Sequence, residues 1–165
     1  LGSKVKAASR IFSGYGISYV LNGGSNHKSN VSVYYNQAVK LYNPTRSGYS
    51  FKGWYSDKNF KNKVTSIKKG STGNKTLYAK WEANKYTIKF NGNGSTGGKM
   101  SSLTNCKYGK SYKLTANKFK KSGYTFVGWN TKKNGSGKTY KNKQSIKNLT
   151  SKNGGTVTLY AQWMK

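Results

Sequence analysis

The sequence predicts a mostly β chain of two tandem repeat modules, each a small α+β sheet with at most one short helical segment. Three observations predict it. An eight-residue stretch occurs twice, as Ser47-Gly48-Tyr49-Ser50-Phe51-Lys52-Gly53-Trp54 and as Ser122-Gly123-Tyr124-Thr125-Phe126-Val127-Gly128-Trp129, 75 positions apart. A closing pattern also recurs, first as Thr76-Leu77-Tyr78-Ala79-Lys80-Trp81 and then as Thr158-Leu159-Tyr160-Ala161-Gln162-Trp163. Turn residues open each copy, at Asn22-Gly23-Gly24 and at Asn91-Gly92-Asn93-Gly94, and the flanking segments alternate as half-buried strands do. Aligned on Asn22 and Asn91, the offset grows from 69 to 75 and then to 82 at the closing tryptophans. Insertions therefore fall in surface loops while the aromatic stretches keep their length, which is how repeats vary around a shared core. The modules are residues 17–83 and 84–165, and residues 1–16 read as a lead-in or linker.

The elements follow in order. Residues 17–21 form a strand that ends at the first turn, and Val31-Ser32-Val33-Tyr34-Tyr35 returns from it. Val39-Lys40-Leu41 is extended. Asn43-Pro44-Thr45-Arg46-Ser47-Gly48 breaks the pattern, with a short helical turn opened by Pro44. A strand then carries Tyr49 and Phe51 on one face. Val64 and Ile67 lie three apart, a spacing that suits a second helical turn, and residues 76–81 close the module as a strand. In the second module residues 86–90 open, Tyr112-Lys113-Leu114 matches Val39-Lys40-Leu41, and Pro44 has no counterpart. The basic stretch 130–152 is longer and holds Tyr140, Ile146 and Leu149.

Modules of this size have marginal cores. Fourteen Tyr, six Phe and four Trp must supply much of the buried area. The repeated positions Tyr49, Phe51, Trp54, Trp81, Tyr124, Phe126, Trp129 and Trp163 are the expected core.

The combined G-Y-x-F-x-G-W and T-L-Y-A-x-W patterns, behind an N-G-G or N-G-N-G turn, resemble the Listeria–Bacteroides repeat family, related to the internalin B-repeat. The resemblance covers residues 17–83 and 85–163. It implies a β-grasp-like fold, a small sheet with one short helical segment. It further implies a module found in arrays on secreted and surface proteins, mostly of bacteria, beside adhesive or hydrolytic domains. No catalytic residue is assigned to the family, so none is carried over to this chain.

Charge sets the expected partner. The chain has 31 Lys+Arg against 2 Asp+Glu, a net +29, divided as +9 over residues 17–83 and +17 over 84–165. Such a surface repels itself and attracts polyanions. The expected binding groups are Lys58, Lys61, Lys63, Lys68 and Lys69 in the first module. In the second they are Lys118, Lys120, Lys121, Lys132, Lys133, Lys138, Lys141, Lys143 and Lys147. Lysine is a point charge without the arginine fork, so specific nucleic-acid readout is not expected. The expected partner is an anionic cell-wall polymer or glycan, met outside the cell by a module that tethers or displays a larger parent protein. A purely structural spacer is one alternative. Another is a carbohydrate-binding module that stacks sugars on Tyr34, Tyr35, Tyr42, Tyr55, Tyr108 and Tyr140.

Catalysis is not expected. His27, Cys106, Asp57 and Glu82 are the whole inventory of histidine, cysteine and carboxylate side chains, too few for a paired-carboxylate site or a zinc site. No cofactor is expected, because the glycine-rich stretches lack the G-K-[ST] and helix of a phosphate loop. No disulfide can form within a chain holding one cysteine, and no apolar run is long enough to span a membrane as a helix.

Overall fold

The computed structural model describes residues 11–165; most of the lead-in, residues 1–10, lies outside the described residues. The chain divides into two units. The first runs to Arg46 and resumes over Phe51–Glu82, and the second comprises Ser47–Ser50 and Ala83–Lys165.

The first module contains β1 (Tyr15–Val20), β2 (Val33–Tyr34), β3 (Val39–Lys40), β4 (Tyr49–Tyr55), β5 (Lys63–Val64), β6 (Ser66–Ile67) and β7 (Lys75–Ala83). The second contains β8 (Lys85–Asn91), β9 (Leu103–Lys107), β10 (Ser111–Lys113), β11 (Thr125–Asn130), β12 (Thr139–Tyr140), β13 (Ser145–Lys147) and β14 (Gly155–Met164). The main sheet of the first module has the order β2-β1-β7-β4-β5, and that of the second the same order read backwards, β12-β11-β14-β8-β9. In each, the first and last strands pair in parallel at the centre, with Tyr19 opposite Leu77 and Phe90 opposite Leu159. A two-stranded ribbon accompanies each sheet, β3 with β6 and β10 with β13. The mostly β, two-module fold is the one expected.

The expected helical turns are absent among the described residues. Val64 pairs opposite Trp54, and Ile67 opposite Val39. Two β-branched residues three apart thus serve two different ladders, with Thr65 between them, rather than one helical face. The Pro44 region is extended too, because Thr45 exchanges backbone hydrogen bonds with Ser25, 3.0 and 2.7 Å long.

The register also corrects the alignment of the opening turns. Asn22 and Asn93 both adopt left-handed φ, 48° and 50°. Each donates its side-chain amide, 2.8 Å long, to the carbonyl of the buried alanine in the closing strand, Ala79 or Ala161. Trp81 donates to the Leu21 carbonyl and Trp163 to the Gly92 carbonyl. Asn22 therefore corresponds to Asn93, not to Asn91. Two Asn-Gly pairs stand side by side in the second module, and only the tertiary bond to the closing strand selects between them.

One device explains the F-x-G-W spacing. Gly53 and Gly128 have φ of 123° and 142°, a conformation that L side chains rarely adopt. At Gly128 the register against β14 slips by one residue. The slip brings Phe126 and Trp129, three apart, onto one side of the sheet with ring centroids 5.0 Å apart; Phe51 and Trp54 meet at 5.3 Å. Such a bulge re-aims the residues that follow it.

The cores are centred on Trp54 with Ile17, Tyr34, Leu77 and Ala79, and on Trp129 with Tyr86, Ile88, Leu114 and Leu159. Trp81, Phe51, Phe126 and Trp163 are partly buried and pack against them. Tyr124 is not core: it is 38% exposed. Lys121 Nζ lies 4.3 Å from its ring centroid and Lys165 Nζ 5.9 Å.

Burial in the second core carries a pH dependence. Tyr86 and Cys106 face each other across β8 and β9, and burial pushes the phenol and the thiol above their ordinary values of 10.0 and 9.0. Both are held neutral in the fold and ionise more readily in the unfolded chain. Their contribution is therefore whole below the ordinary thiol value and is lost as pH rises through the raised folded values. Cys106→Ala should flatten the loss of urea stability between about pH 8 and 9.5. An unchanged slope would remove Cys106 as its cause.

Candidate polyanion-binding surface

Local hydrogen bonds, rather than packing, hold the lysine-bearing loops. In the first module Asp57 accepts the backbone N–H of Lys61 at 3.0 Å and of Asn62 at 2.8 Å. Those bonds, led by the one from Asn62, hold its carboxyl below the ordinary value. They shape the turn that presents Lys58 and Lys61. In the second module the organiser is Asn130, 1% exposed. Its side-chain oxygen accepts the N–H groups of Lys132 and Gly137, each at 2.9 Å. Its amide nitrogen lies 3.0 Å from the Gly135 and Gly137 carbonyls and 3.1 Å from Thr139 Oγ1. A buried amide that fully used is costly to replace, and it sets the loop of Lys132, Lys133 and Lys138. Sequence reading missed it, because an asparagine at the start of a polar stretch looks like any loop residue.

Every expected binding lysine is exposed except Lys121, which is half-buried against Tyr124. Lys58 and Lys61 sit in the β4–β5 turn, Lys63 in β5, and Lys68 and Lys69 just after β6. Lys118, Lys120 and Lys121 occupy the segment between β10 and β11. Lys132, Lys133 and Lys138 lie between β11 and β12, Lys141 and Lys143 between β12 and β13, and Lys147 in β13. Several lie along aromatic rings, Lys138 5.2 Å from Tyr140 and Lys133 5.9 Å from Tyr160. The chain's two carboxylates are engaged elsewhere: Asp57 in its turn, and Glu82 with Lys52 at 3.1 Å on the surface, a pair worth about 0–1 kcal/mol.

The expected stacking tyrosines divide. Tyr34 and Tyr140 are 1% and 5% exposed and cannot serve as platforms. Tyr34 sits opposite Tyr15 in the sheet and donates its hydroxyl to the Gly73 carbonyl; Tyr140 sits opposite Trp129. Tyr42 is half-buried and already stacked on His27, centroids 4.7 Å apart and planes at 19°. Tyr55 is half-buried against Phe60 at 5.5 Å. Tyr108 and Tyr49, both in the second unit, meet edge to face at 5.7 Å. Tyr35 remains well exposed, at 46%.

Two residues weighed for catalysis have structural surroundings. His27 Nδ1 accepts the Ser29 N–H at 3.0 Å within the opening loop. Cys106 is 1% exposed, and its thiol is pushed up by burial, the opposite of what a nucleophile needs. No group of three or more histidine, cysteine or carboxylate residues gathers among the described residues. Among the described residues there is no helix long and apolar enough to cross a membrane.

The sequence reading did not group a cleft of about 440 Å³ in the first module, lined by Val20, Asn22, Arg46, Lys58, Phe60, Tyr78, Ala79 and Trp81. These residues come from four separated segments, which only the sheet order brings together.

The Listeria–Bacteroides repeat domain matches residues 15–80 and again 86–162. A protein of Evansella cellulosilytica named "Putative membrane protein" is 32% identical over 157 residues, 90% of this chain and 22% of that protein. A second from the same organism, "Putative Gly-rich membrane protein", is 35% identical over 130 residues, 73% of this chain and 14% of that protein. The chain thus spans less than a quarter of the length of these relatives. No solved structure matches it. Two matched segments, with the same strand order and the same aromatic anchors, place the chain in the Listeria–Bacteroides repeat domain family, as a tandem pair of repeats.

Proposed function

We propose that this tandem pair is a non-catalytic module of a bacterial cell envelope, which associates with an anionic wall polymer or glycan outside the cell through its loop lysines and so tethers or displays a longer protein. The observation that carries the reading is the presentation of the lysines. Nearly all are exposed, their loops are organised by Asp57 and Asn130, and the two carboxylates of the chain are engaged elsewhere. The membrane-protein names and greater length of the relatives support an envelope setting and a larger parent. Lysine point charges on many short loops suit a flexible polymer better than a base-specific nucleic-acid site.

Sedimentation of the chain with Gram-positive cell walls, intact or stripped of anionic polymer and across a salt series, tests this. Binding should require the anionic polymer and weaken on the order of tenfold or more between about 0.05 and 0.2 M salt, by the counterion-release logic measured on DNA. Binding that survives stripping and salt would replace lysines with sugar stacking. No binding to either wall would leave the module as a spacer.

A further inference from the structure

We propose that this chain associates head to tail with a second copy of itself. The Ser122–Thr125 segment of one copy docks on the edge that Phe12 and Tyr35 form in the first module of the next. The inference goes beyond polymer association and does not rest on the loop lysines.

The second unit contains the template. It includes Ser47–Ser50, whose sequence Ser122–Thr125 repeats. Within that unit these residues lie where β8 begins and β9 ends. Asn84, the residue before β8, donates its N–H to the Gly48 carbonyl at 2.9 Å. Ser50 Oγ donates to Asn84 Oδ1 at 2.5 Å. Tyr108, the residue after β9, meets Tyr49 edge to face. Its ring lies so close to Gly48 that a Cβ there would sit 2.1 Å from it. A Ser-Gly-Tyr segment is thus seated on one module edge by two hydrogen bonds and an aromatic ring over its glycine.

Both halves of that contact recur in the chain, and both are exposed. The segment half is Gly123-Tyr124. Gly123 has the same backbone as Gly48, φ 78° against 81°, but nothing among the described residues lies within 4 Å of where its Cβ would be. Tyr124, the counterpart of buried-side Tyr49, is exposed. The edge half belongs to the first module. Tyr35 directly follows β2 as Tyr108 directly follows β9, and Ser13 stands where Asn84 does, two residues before the matched Tyr15 and Tyr86. Phe12 and Tyr35 meet edge to face at 6.0 Å. With Ile11, Val31 and Val33 they are most of the large apolar side chains exposed among the described residues.

The charge of this edge fits the same occupant. Lys28 is the only charged side chain between Arg10 and Lys40, whereas the matching stretch 83–112 holds Lys85, Lys89, Lys99, Lys107 and Lys110. On a chain of net +29, a lysine-poor edge with exposed apolar side chains has the composition of an interaction surface. It is also the place where a second copy meets least repulsion. Such a contact is heterologous, so each added copy leaves one segment and one edge exposed.

Sedimentation equilibrium of the whole chain tests this up to about 1 mM, since a contact this small is weak, and at about 0.5 M salt, which screens the net charge. The average mass should rise with concentration without levelling at a dimer. Gly123→Asn keeps a backbone that asparagine adopts elsewhere in this chain, at Asn22 and Asn93, and puts a side chain where the docking ring must lie. It should weaken association about tenfold or more. Gly154→Asn, at another open left-handed glycine, should not. Tyr35→Lys, an exposed change at the opposite end, should also weaken association about tenfold or more. An equal mixture of Gly123→Asn and Tyr35→Lys keeps one intact edge and one intact segment, so it should form dimers that neither variant forms alone. The proposal is overturned if the unsubstituted chain stays monomeric, if Gly123→Asn and Gly154→Asn associate alike, or if the mixture forms no dimer. Wall sedimentation decides the polymer reading independently of each of these outcomes.

Discussion

Trp129→Ala should remove most of the stability of the second module while leaving the first folded. Trp129 is fully buried, and Phe90, Phe126 and Phe119 surround it at centroid distances of 4.9, 5.0 and 6.2 Å. Emptying an aromatic site of this kind costs about 3–5 kcal/mol, against a total of about 4–12 kcal/mol for a module of this size. Urea unfolding of the whole chain should then split into an early and a late transition. A phenylalanine comparison sharpens the test. Trp129 Nε1 is buried with no hydrogen-bond partner among the described residues, whereas Trp54 Nε1 donates to the Tyr42 carbonyl at 3.2 Å. Trp54→Phe removes that bond while Asn30 Nδ2 still donates to the same carbonyl at 2.9 Å, a loss of about 0.5–1.5 kcal/mol that Trp129→Phe does not incur. Equal costs for the two changes would show that the Tyr42 bond contributes nothing.

Tyr34→Ala should destabilise the first module by about 3–5 kcal/mol and should affect ligand binding only through unfolding. The ring is 1% exposed, lies 5.3 Å from Tyr15, and carries a hydroxyl bonded to the Gly73 carbonyl. Tyr34→Phe keeps the ring and removes only that bond, at about 1–3 kcal/mol. The neighbouring Tyr35, 46% exposed, should tolerate alanine within about 0.5 kcal/mol. Thermal unfolding of the three variants, beside wall sedimentation, reads both properties. A stable Tyr34→Ala chain that no longer sediments would reverse the assignment and make Tyr34 a contact residue.

The two adjacent tyrosines show where sequence reasoning stops. Alternation along a strand says that Tyr34 and Tyr35 face opposite ways, but not which of them faces the core. The pairing of β2 with β1 decides it, by setting Tyr34 opposite Tyr15. Cys106 takes the matching place opposite Tyr86 in the second module. An aromatic and a thiol at one core position leave no shared letter to read, so this equivalence is invisible in the residues.

By itself the sequence determined the two modules, their β character, the aromatic anchors Trp54, Trp81, Trp129 and Trp163, and a basic surface with almost no carboxylates. Those properties live in local patterns: period-two alternation, turn residues, repeated motifs and composition. The tertiary structure decided the bulge that turns F-x-G-W into a core pair, and the bond that selects Asn93 over Asn91. It decided the extended path of Val64 and Ile67, the burial of Tyr34 and Tyr140, and the cleft behind Phe60. Each of these depends on which strand lies beside which. Pairing partners far apart in the chain satisfy backbone groups and bury side chains together, and no local pattern records a neighbour 60 residues away, as Trp81 is from the Leu21 carbonyl it holds.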